Sequence, residues 1–288
     1  MKIALIGSNG QIGTDILKYF TEEKEEVIGL TQDDIDVCYP EKCENVLFKI
    51  KPDIIINTAA FHVVDLCEDE TAAAFAVNAE GVRNLCRICA GLDIPLVHFS
   101  TDFVFGADKE RKIPYVETDC PGPISMYGIS KLAGELIIKY MLEKYYLLRV
   151  CGLYGYAGSL GKGSNFVELM LKLAKEGHEI KVVDDQITTP TSTKDVTEKL
   201  YELIKTGRFG TYHMTNSGQC SWYEFALEIF RLAGLSPKII PISSMELGAK
   251  AKRPFYSVLD NMMLRSTGLE DMRDWKEALK DYIDGRPI

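Results

Sequence analysis

The first thirteen residues constrain the fold more than any other stretch. Met1-Lys2-Ile3-Ala4-Leu5-Ile6 reads as a short buried strand, and Gly7-Ser8-Asn9-Gly10-Gln11-Ile12-Gly13 follows it at once. Apolar residues then recur at Ile12, Ile16, Leu17 and Phe20, the period of a helix with one buried face. Strand, glycine turn and helix aim backbone N–H groups and a helix N-terminus at a pyrophosphate. The spacing is Gly-x-x-Gly-x-x-Gly rather than the simplest dinucleotide fingerprint, so the triplet alone is weak. Its place at the first strand–helix junction favours a nucleotide site over a merely tight turn. Gly7, Asn9, Gly10, Gln11, Ile12 and Gly13 are the residues expected to line it.

Strands and helices alternate behind this unit. Strands are expected at 27–30, 53–57, 96–100 and 146–150, with helices at about 40–50, 70–91 and 127–143 between them. That order predicts an α/β fold, a doubly wound parallel sheet covered on both faces. After Val150 the pattern changes to a loop of small residues from Gly152 to Gly163, then a helix near 165–176. Thr193 to Lys205 reads as a helix and Gly210 to Asn216 as a strand that could rejoin the first sheet. Two lobes are expected: residues 1–150 with about 190–216 for the nucleotide, and about 151–189 with 217–288 as a smaller, discontinuous C-terminal substrate lobe. A ligand cleft between them would lie at the carboxyl ends of the strands.

The chain has 288 residues and is 46% hydrophobic, enough for a sizeable core in one large or two unequal units. Its net charge of −9 argues against nucleic-acid and anionic-membrane partners. No long apolar run and no cleavable leader is read, and a cytoplasmic protein is expected. Eight cysteines, at 38, 43, 67, 86, 89, 120, 151 and 220, lack paired metal-ligand spacing, so reduced thiols are expected. Cys86 and Cys89 read as helix packing. The four histidines form no ligand cluster, and no metal is assigned.

The candidate chemistry lies in Ser125-Met126-Tyr127-Gly128-Ile129-Ser130-Lys131. On a helix, Tyr127 and Lys131 at i, i+4 share a face, where an ammonium favours ionisation of a phenol that otherwise titrates near pH ~10. Such a tyrosine can exchange a proton near neutral pH. By itself Tyr-x-x-x-Lys arises often by chance, and a surface tyrosine is the alternative.

Together these pieces resemble the extended short-chain dehydrogenase/reductase family, and within it the dTDP-4-dehydrorhamnose reductase group. The resemblance runs nearly end to end. It rests on Gly7 to Gly13; Pro52 to Ala60; Val77-Asn78-Ala79-Glu80-Gly81; Ser100-Thr101-Asp102-Phe103-Val104-Phe105; Tyr127 to Glu135; Asp185-Gln186 with Pro190-Thr191; and Arg253-Pro254 with Ser257-Val258-Leu259-Asp260. The resemblance implies a Rossmann-like sheet and NADH or NADPH as cofactor. It implies reduction of the 4-keto group of a dTDP-linked 6-deoxysugar, dTDP-4-dehydrorhamnose to dTDP-L-rhamnose. Tyr127 would protonate the carbonyl oxygen, Lys131 would hold the nicotinamide ribose and depress the tyrosine, and Thr101 would bond the reacting oxygen.

Further site residues follow from the same resemblance. Thr58, Ala59 and Ala60 would let backbone approach the cofactor; Thr31 and Asp33 would meet the adenosine ribose, Asp33 lying 20 positions after Gly13. Asp102, Phe103, Cys151 and Arg253 join Thr101 and Tyr127 as expected substrate contacts, with Arg253 on the nucleotide diphosphate. Lys162, in the loop Gly158 to Asn165, is a further charge contact or simply part of a surface connection. Asn78 is expected to tie a helix to the active-site strand.

One departure concerns the sugar pocket. Many rhamnose reductases carry Ser-Trp shortly after the arginine of the fifth strand, whereas Arg149-Val150-Cys151-Gly152 stands here. Another nucleotide-sugar reductase or epimerase therefore remains an alternative. Dehydratases of this fold resemble Thr-Asp-Glu at the catalytic strand end, and Phe103 stands in place of that glutamate. A non-catalytic alternative also stays open, because the regulatory beta subunit of methionine adenosyltransferase resembles this group. A homodimer is allowed as the assembly.

Overall fold

The computed structural model describes residues 1–158 and 163–286. Six parallel strands form the central sheet: β1 (Lys2–Ile6), β2 (Glu26–Leu30), β3 (Ile54–Asn57), β4 (Leu96–Thr101), β5 (Tyr145–Val150) and β10 (Gly210–His213). Between β5 and β10 lie the short strands β6 (Leu153–Tyr154), β7 (Ile180–Val183), β8 (Ile187–Thr188) and β9 (Thr191–Ser192); β11 (Cys220–Ser221) and β12 (Ile239–Ile242) follow. The order in the central sheet is β10-β5-β4-β3-β1-β2. The direction of winding reverses between β1 and β3, so a crevice opens at their carboxyl ends. Gly7 leaves β1 and Thr58 leaves β3 at that crevice.

Side chains on β1 explain why the sheet is covered twice. Ile3 and Leu5 pack with α1 (Gln11–Glu22) through Ile16 and Phe20, and with α8 (Thr193–Lys205) through Leu200. Ala4 and Ile6 face the opposite core, formed with α2 (Pro40–Ile50), α5 (Gly81–Leu92) and α6 (Met126–Met141). Cys86 and Cys89 are buried there among leucines, as packing residues. The strand expected at 210–216 does rejoin the sheet, pairing with β5 from Gly210↔Tyr146, but ends at His213. Beyond it the backbone N–H of Thr215 donates to Asn261 and that of Asn216 to Thr191, which removes them from the ladder.

The expected helix at 70–91 is interrupted. It starts as α3 (Val64–Asp69) and α4 (Thr71–Phe75), passes through a π-helical turn at Ala76–Glu80 and continues as α5. The π-turn faces Gly134 of α6, where a Cβ would lie 2.3 Å from the Asn78 carbonyl oxygen. The close approach of two helices explains the wider turn, since π-turns accommodate such local misfit and recur at functional sites.

A second core lies beyond β5, with Tyr154, Phe225, Ile229, Trp275 and Leu279 at its centre. It is built from α7 (Phe166–Glu176), α9 (Trp222–Leu232) and α12 (Trp275–Asp284), while the short α10 (Ser244–Leu247) follows β12 and α11 (Met262–Ser266) packs on the first core through Leu264. Among the described residues, no helix is long and apolar enough to cross a membrane.

Candidate active site

The glycine turn forms a narrow cradle. Gly7 has φ +79°, and a Cβ on it would lie 2.5 Å from Thr58 Oγ1; a Cβ on Gly13 would lie 2.1 Å from the Gly7 carbonyl oxygen. Neither position accepts a side chain. Thr58 fixes the cradle by donating to the carbonyls of Ile6 (2.9 Å) and Gly7 (3.0 Å). Helix α1 begins at Gln11 with no side-chain cap, so its first N–H groups point outward from the turn. The Gln11 Oε1 atom is buried without a hydrogen-bond partner. Bare N–H groups, a helix N-terminus and side-chain-free space fit a dinucleotide pyrophosphate. At the end of β2, the Asp34 carboxylate accepts from the Thr31 N–H (2.9 Å) and Oγ1 (2.8 Å), while neighbouring Asp33 is exposed.

Gly128 brings the first turn of α6 against the end of β4. Ser125 caps the helix by accepting from the Gly128 N–H at 3.2 Å, and a Cβ on Gly128 would lie 2.2 Å from the Phe103 carbonyl oxygen. The first turn of α6 therefore packs directly on the end of β4 and the turn after it, which carry Thr101, Asp102 and Phe103. Tyr127 hydrogen-bonds Thr101 and meets the Phe103 ring edge-on at 5.6 Å between centroids. Met126 N donates to Glu68 of α3 at 2.9 Å. Asn78 accepts from the Phe61 N–H (2.9 Å) and donates to the Phe61 carbonyl and to Ser130 Oγ, both at 3.0 Å. Its tie thus runs from the π-turn to the turn after β3 and to α6, not to β4.

Lys131 is buried, 1% exposed, one turn from Tyr127. Its Nζ donates to the Phe99 carbonyl oxygen at 2.6 Å and lies 3.2 Å from His98 Nε2. Burial lowers the amine to about 8, against the opposing pull of Glu135, and holds His98 neutral far below its ordinary range. Burial likewise raises the Tyr127 phenol, an effect only partly offset by the Thr101 hydrogen bond. The expected depression of the phenol is therefore not produced by the protein alone: the ammonium is engaged with β4, and desolvation dominates. A phenol held protonated is still a proton donor at neutral pH.

Asp102 and Cys151 face each other. Asp102 is 4% exposed and Cys151 1% exposed; Cys151 Sγ donates to Asp102 Oδ2 at 3.1 Å and lies 2.8 Å from Thr188 Oγ1. Burial raises both groups. Their polar atoms are engaged with one another and with Thr101, Thr188 and Ser257. Gly152, at φ +52°, lies against Pro190, Thr189 and the tip of Trp222. Arg253 pairs with Asp65 of α3 at 3.0 and 3.2 Å. Lys162 lies outside the described residues.

The fold thus gathers Thr101, Tyr127, Phe103 and Asp102 in one cluster with Lys131 beneath it, and Gly7 to Gly13 with Thr58 in the adjoining cradle. Sequence reasoning missed Asn57, Asp65, His98, Thr188 and Ser257. Of these, Asn57 and Ser257 lie inside stretches that carry the resemblance, and His98 is a lone imidazole two positions before Ser100 in an otherwise apolar strand.

Comparison with known proteins adds relatives along the whole chain. The family model described as RmlD substrate binding domain matches residues 1–286. The spore coat polysaccharide biosynthesis protein SpsK of Bacillus subtilis is 37% identical over 285 residues, covering 99% of this chain and 98% of that protein. A dTDP-4-dehydrorhamnose reductase from Clostridium acetobutylicum superposes with a TM-score of 0.93 at 42% identity, covering 99% of each chain. The dTDP-4-dehydrorhamnose reductase of Bacillus anthracis, solved in complex with NADP, gives 0.94 at 38% identity over 99% of this chain and 100% of its own.

Proposed function

Since the chain belongs to the family of the RmlD substrate binding domain, we propose that it is an NAD(P)H-dependent dTDP-4-dehydrorhamnose reductase. It reduces the 4-keto group of the dTDP-linked sugar to the alcohol, the last step toward dTDP-L-rhamnose. The observation that carries the reading is the Thr101–Tyr127 pair at the carboxyl edge of the sheet, next to the glycine cradle. Reductase relatives of nearly the same length support it.

The reaction adds a hydride to C4 and a proton to its oxygen. The reduced nicotinamide supplies the hydride. Tyr127 donates the proton, and its raised affinity for that proton keeps it loaded at neutral pH. Thr101 orients the phenol, and Lys131 anchors the floor of the site and offers an amine to the cofactor ribose. The turn Thr58-Ala59-Ala60 gives the cofactor a close backbone wall, and Thr31 with Asp33 meets the adenosine ribose. Arg253 takes the diphosphate of the sugar nucleotide, exchanging Asp65 for it. Residues 1–150 with about 190–216 form the cofactor lobe, and the remainder forms the sugar-nucleotide lobe.

Purified protein supplied with dTDP-4-dehydro-6-deoxy-L-mannose and reduced nicotinamide should lose nicotinamide absorbance and form dTDP-L-rhamnose. No loss with either cofactor overturns the reading. A cytoplasmic location and a homodimer accompany it, and fractionation and light scattering test those.

A further inference from the structure

Thr101 has three polar partners and one proton to give. The Phe103 N–H donates to Oγ1 at 3.2 Å, Asp102 Oδ1 lies 3.0 Å away, and the Tyr127 phenol is the third. A hydroxyl offers one donor and two acceptor positions, so the direction of the chain through Thr101 is set by its neighbours. An ionised Asp102 can only accept. Thr101 would then donate to Asp102, and Tyr127 would donate into Thr101, turning the proton of the reaction back into the protein. A protonated Asp102 reverses every link: it donates to Thr101, Thr101 donates to the phenol oxygen, and the phenol proton is left for the substrate.

The surroundings of Asp102 select the second arrangement. The side chain is buried at the foot of the cluster, and among the described residues it has no ion-pair partner. The groups that face it are uncharged. Tyr127 comes from α6, Cys151 from the segment after β5, and Ser257 from the C-terminal chain, with Thr188 of β8 behind Cys151. Of these only Tyr127 and Cys151 titrate, and burial keeps both protonated. The nearby amine of Lys131 is turned to the Phe99 carbonyl. Hydroxyl and thiol donors without a cation leave a buried carboxylate poorly compensated.

We propose that Asp102 is a positioning residue that works as a carboxylic acid, donating to Thr101 so that the proton of Tyr127 points to the substrate oxygen. This rests on the reductase reading, and it moves Asp102 from the sugar contacts to the layer beneath them. One oxygen donates to Thr101; the other accepts from Cys151 and Ser257. An asparagine amide has the same layout, Nδ2 toward Thr101 and Oδ1 toward Cys151.

The test compares Asp102→Asn and Asp102→Ala in the full chain, with turnover, nicotinamide affinity and the pH profile of kcat. Asp102→Asn should keep kcat within about 5-fold of wild type, while Asp102→Ala loses about 30-fold or more at unchanged nicotinamide affinity. Wild-type kcat should fall on the alkaline side as Asp102 ionises, and the Asn variant should lack that fall. An Asn variant as slow as the Ala variant, with intact nicotinamide binding, overturns the proposal. Infrared spectroscopy gives an arm that needs neither substrate nor a folded Asn variant. Wild type at neutral pH should show a buried protonated-carboxyl stretch that shifts in Thr101→Val. Absence of a Thr101-sensitive band overturns the proposal outright. A wild type inactive on dTDP-4-dehydrorhamnose fails the reductase reading instead, and the infrared comparison still decides this one.

Discussion

The Nζ atom of Lys131 lies 3.2 Å from Nε2 of His98, and the hydrogen bonds leading into His98 make that ring nitrogen the donor. The Ala59 N–H can only donate, so it fixes Asn57 Oδ1 at 3.1 Å; Asn57 Nδ2 then donates to His98 Nδ1 at 3.1 Å. A neutral ring carries its single proton on Nε2 and presents it to Lys131. Lys131 accepts there and donates to Phe99, the pattern of a neutral amine, the form that burial opens above about 8 instead of the ordinary 10.5. Lys131→Met should therefore lower turnover by about 10²-fold or more while leaving the melting temperature equal or higher, since a buried amine is replaced by apolar volume. The pH dependence has a definite sign. Below about 8 the folded amine is charged at full burial cost; from there to the ordinary value of 10.5 the unfolded chain binds the extra proton. Wild-type stability relative to the Met variant should rise with pH across that window, by on the order of 1–3 kcal/mol. Chemical denaturation of both at pH 7.5 and 10 checks this; a falling difference refutes it.

Tyr127→Phe keeps the ring and its edge contact with Phe103 but removes the donor. Turnover should fall roughly 10²-fold or more, the scale of a lost general acid. Cofactor affinity should stay close to wild type, because the cradle at Gly7 to Gly13 is untouched. Near-normal turnover would remove Tyr127 from the proton step.

Arg253 and Asp65 are separated by 188 positions in the chain and pair directly at 3.0 Å. If the diphosphate takes over the guanidinium, Arg253→Ala should weaken dTDP binding by at least about tenfold, somewhat less than the loss of one partner of a fully buried charge pair because the side chain is partly exposed. Nicotinamide binding should be unchanged. Asp65→Asn removes a competing carboxylate and should leave dTDP affinity equal or tighter. Calorimetric titration of both variants decides this, and unchanged dTDP affinity in Arg253→Ala would put the diphosphate elsewhere.

What was legible in the sequence was local. Gly7 and Gly13 announce the cradle because their backbone contacts lie within one strand–turn–helix unit, and Tyr127 with Lys131 follows from helical spacing. The π-turn at 76–80 was not legible, because apolar periodicity does not distinguish a four-residue from a five-residue repeat over one turn. Its cause, Gly134 against the Asn78 carbonyl, comes from another helix. The Asp65–Arg253 pair and the Asn57–His98–Lys131 chain likewise join residues far apart in sequence. Desolvation of the phenol of half-buried Tyr127 is also a tertiary property, and it reverses the direction expected from the Lys131 spacing alone.

Cofactor choice can be argued from the end of β2. Thr31 is held through both N–H and hydroxyl by Asp34, whose carboxyl those bonds lower, and Asp33 stands exposed beside it. No lysine or arginine occurs between Lys24 and Lys42. A 2′-phosphate placed there would face two carboxylates, whereas a 2′-hydroxyl can donate to one of them. NADH should therefore be used at least as well as NADPH, even though the Bacillus anthracis relative was solved with NADP. Asp33→Arg should move the ratio of kcat/KM values toward NADPH by about tenfold, roughly the value of one charge-assisted contact. Steady-state kinetics with both cofactors on the two proteins measure it. A wild type that strongly prefers NADPH would show that a basic group from another segment receives the phosphate.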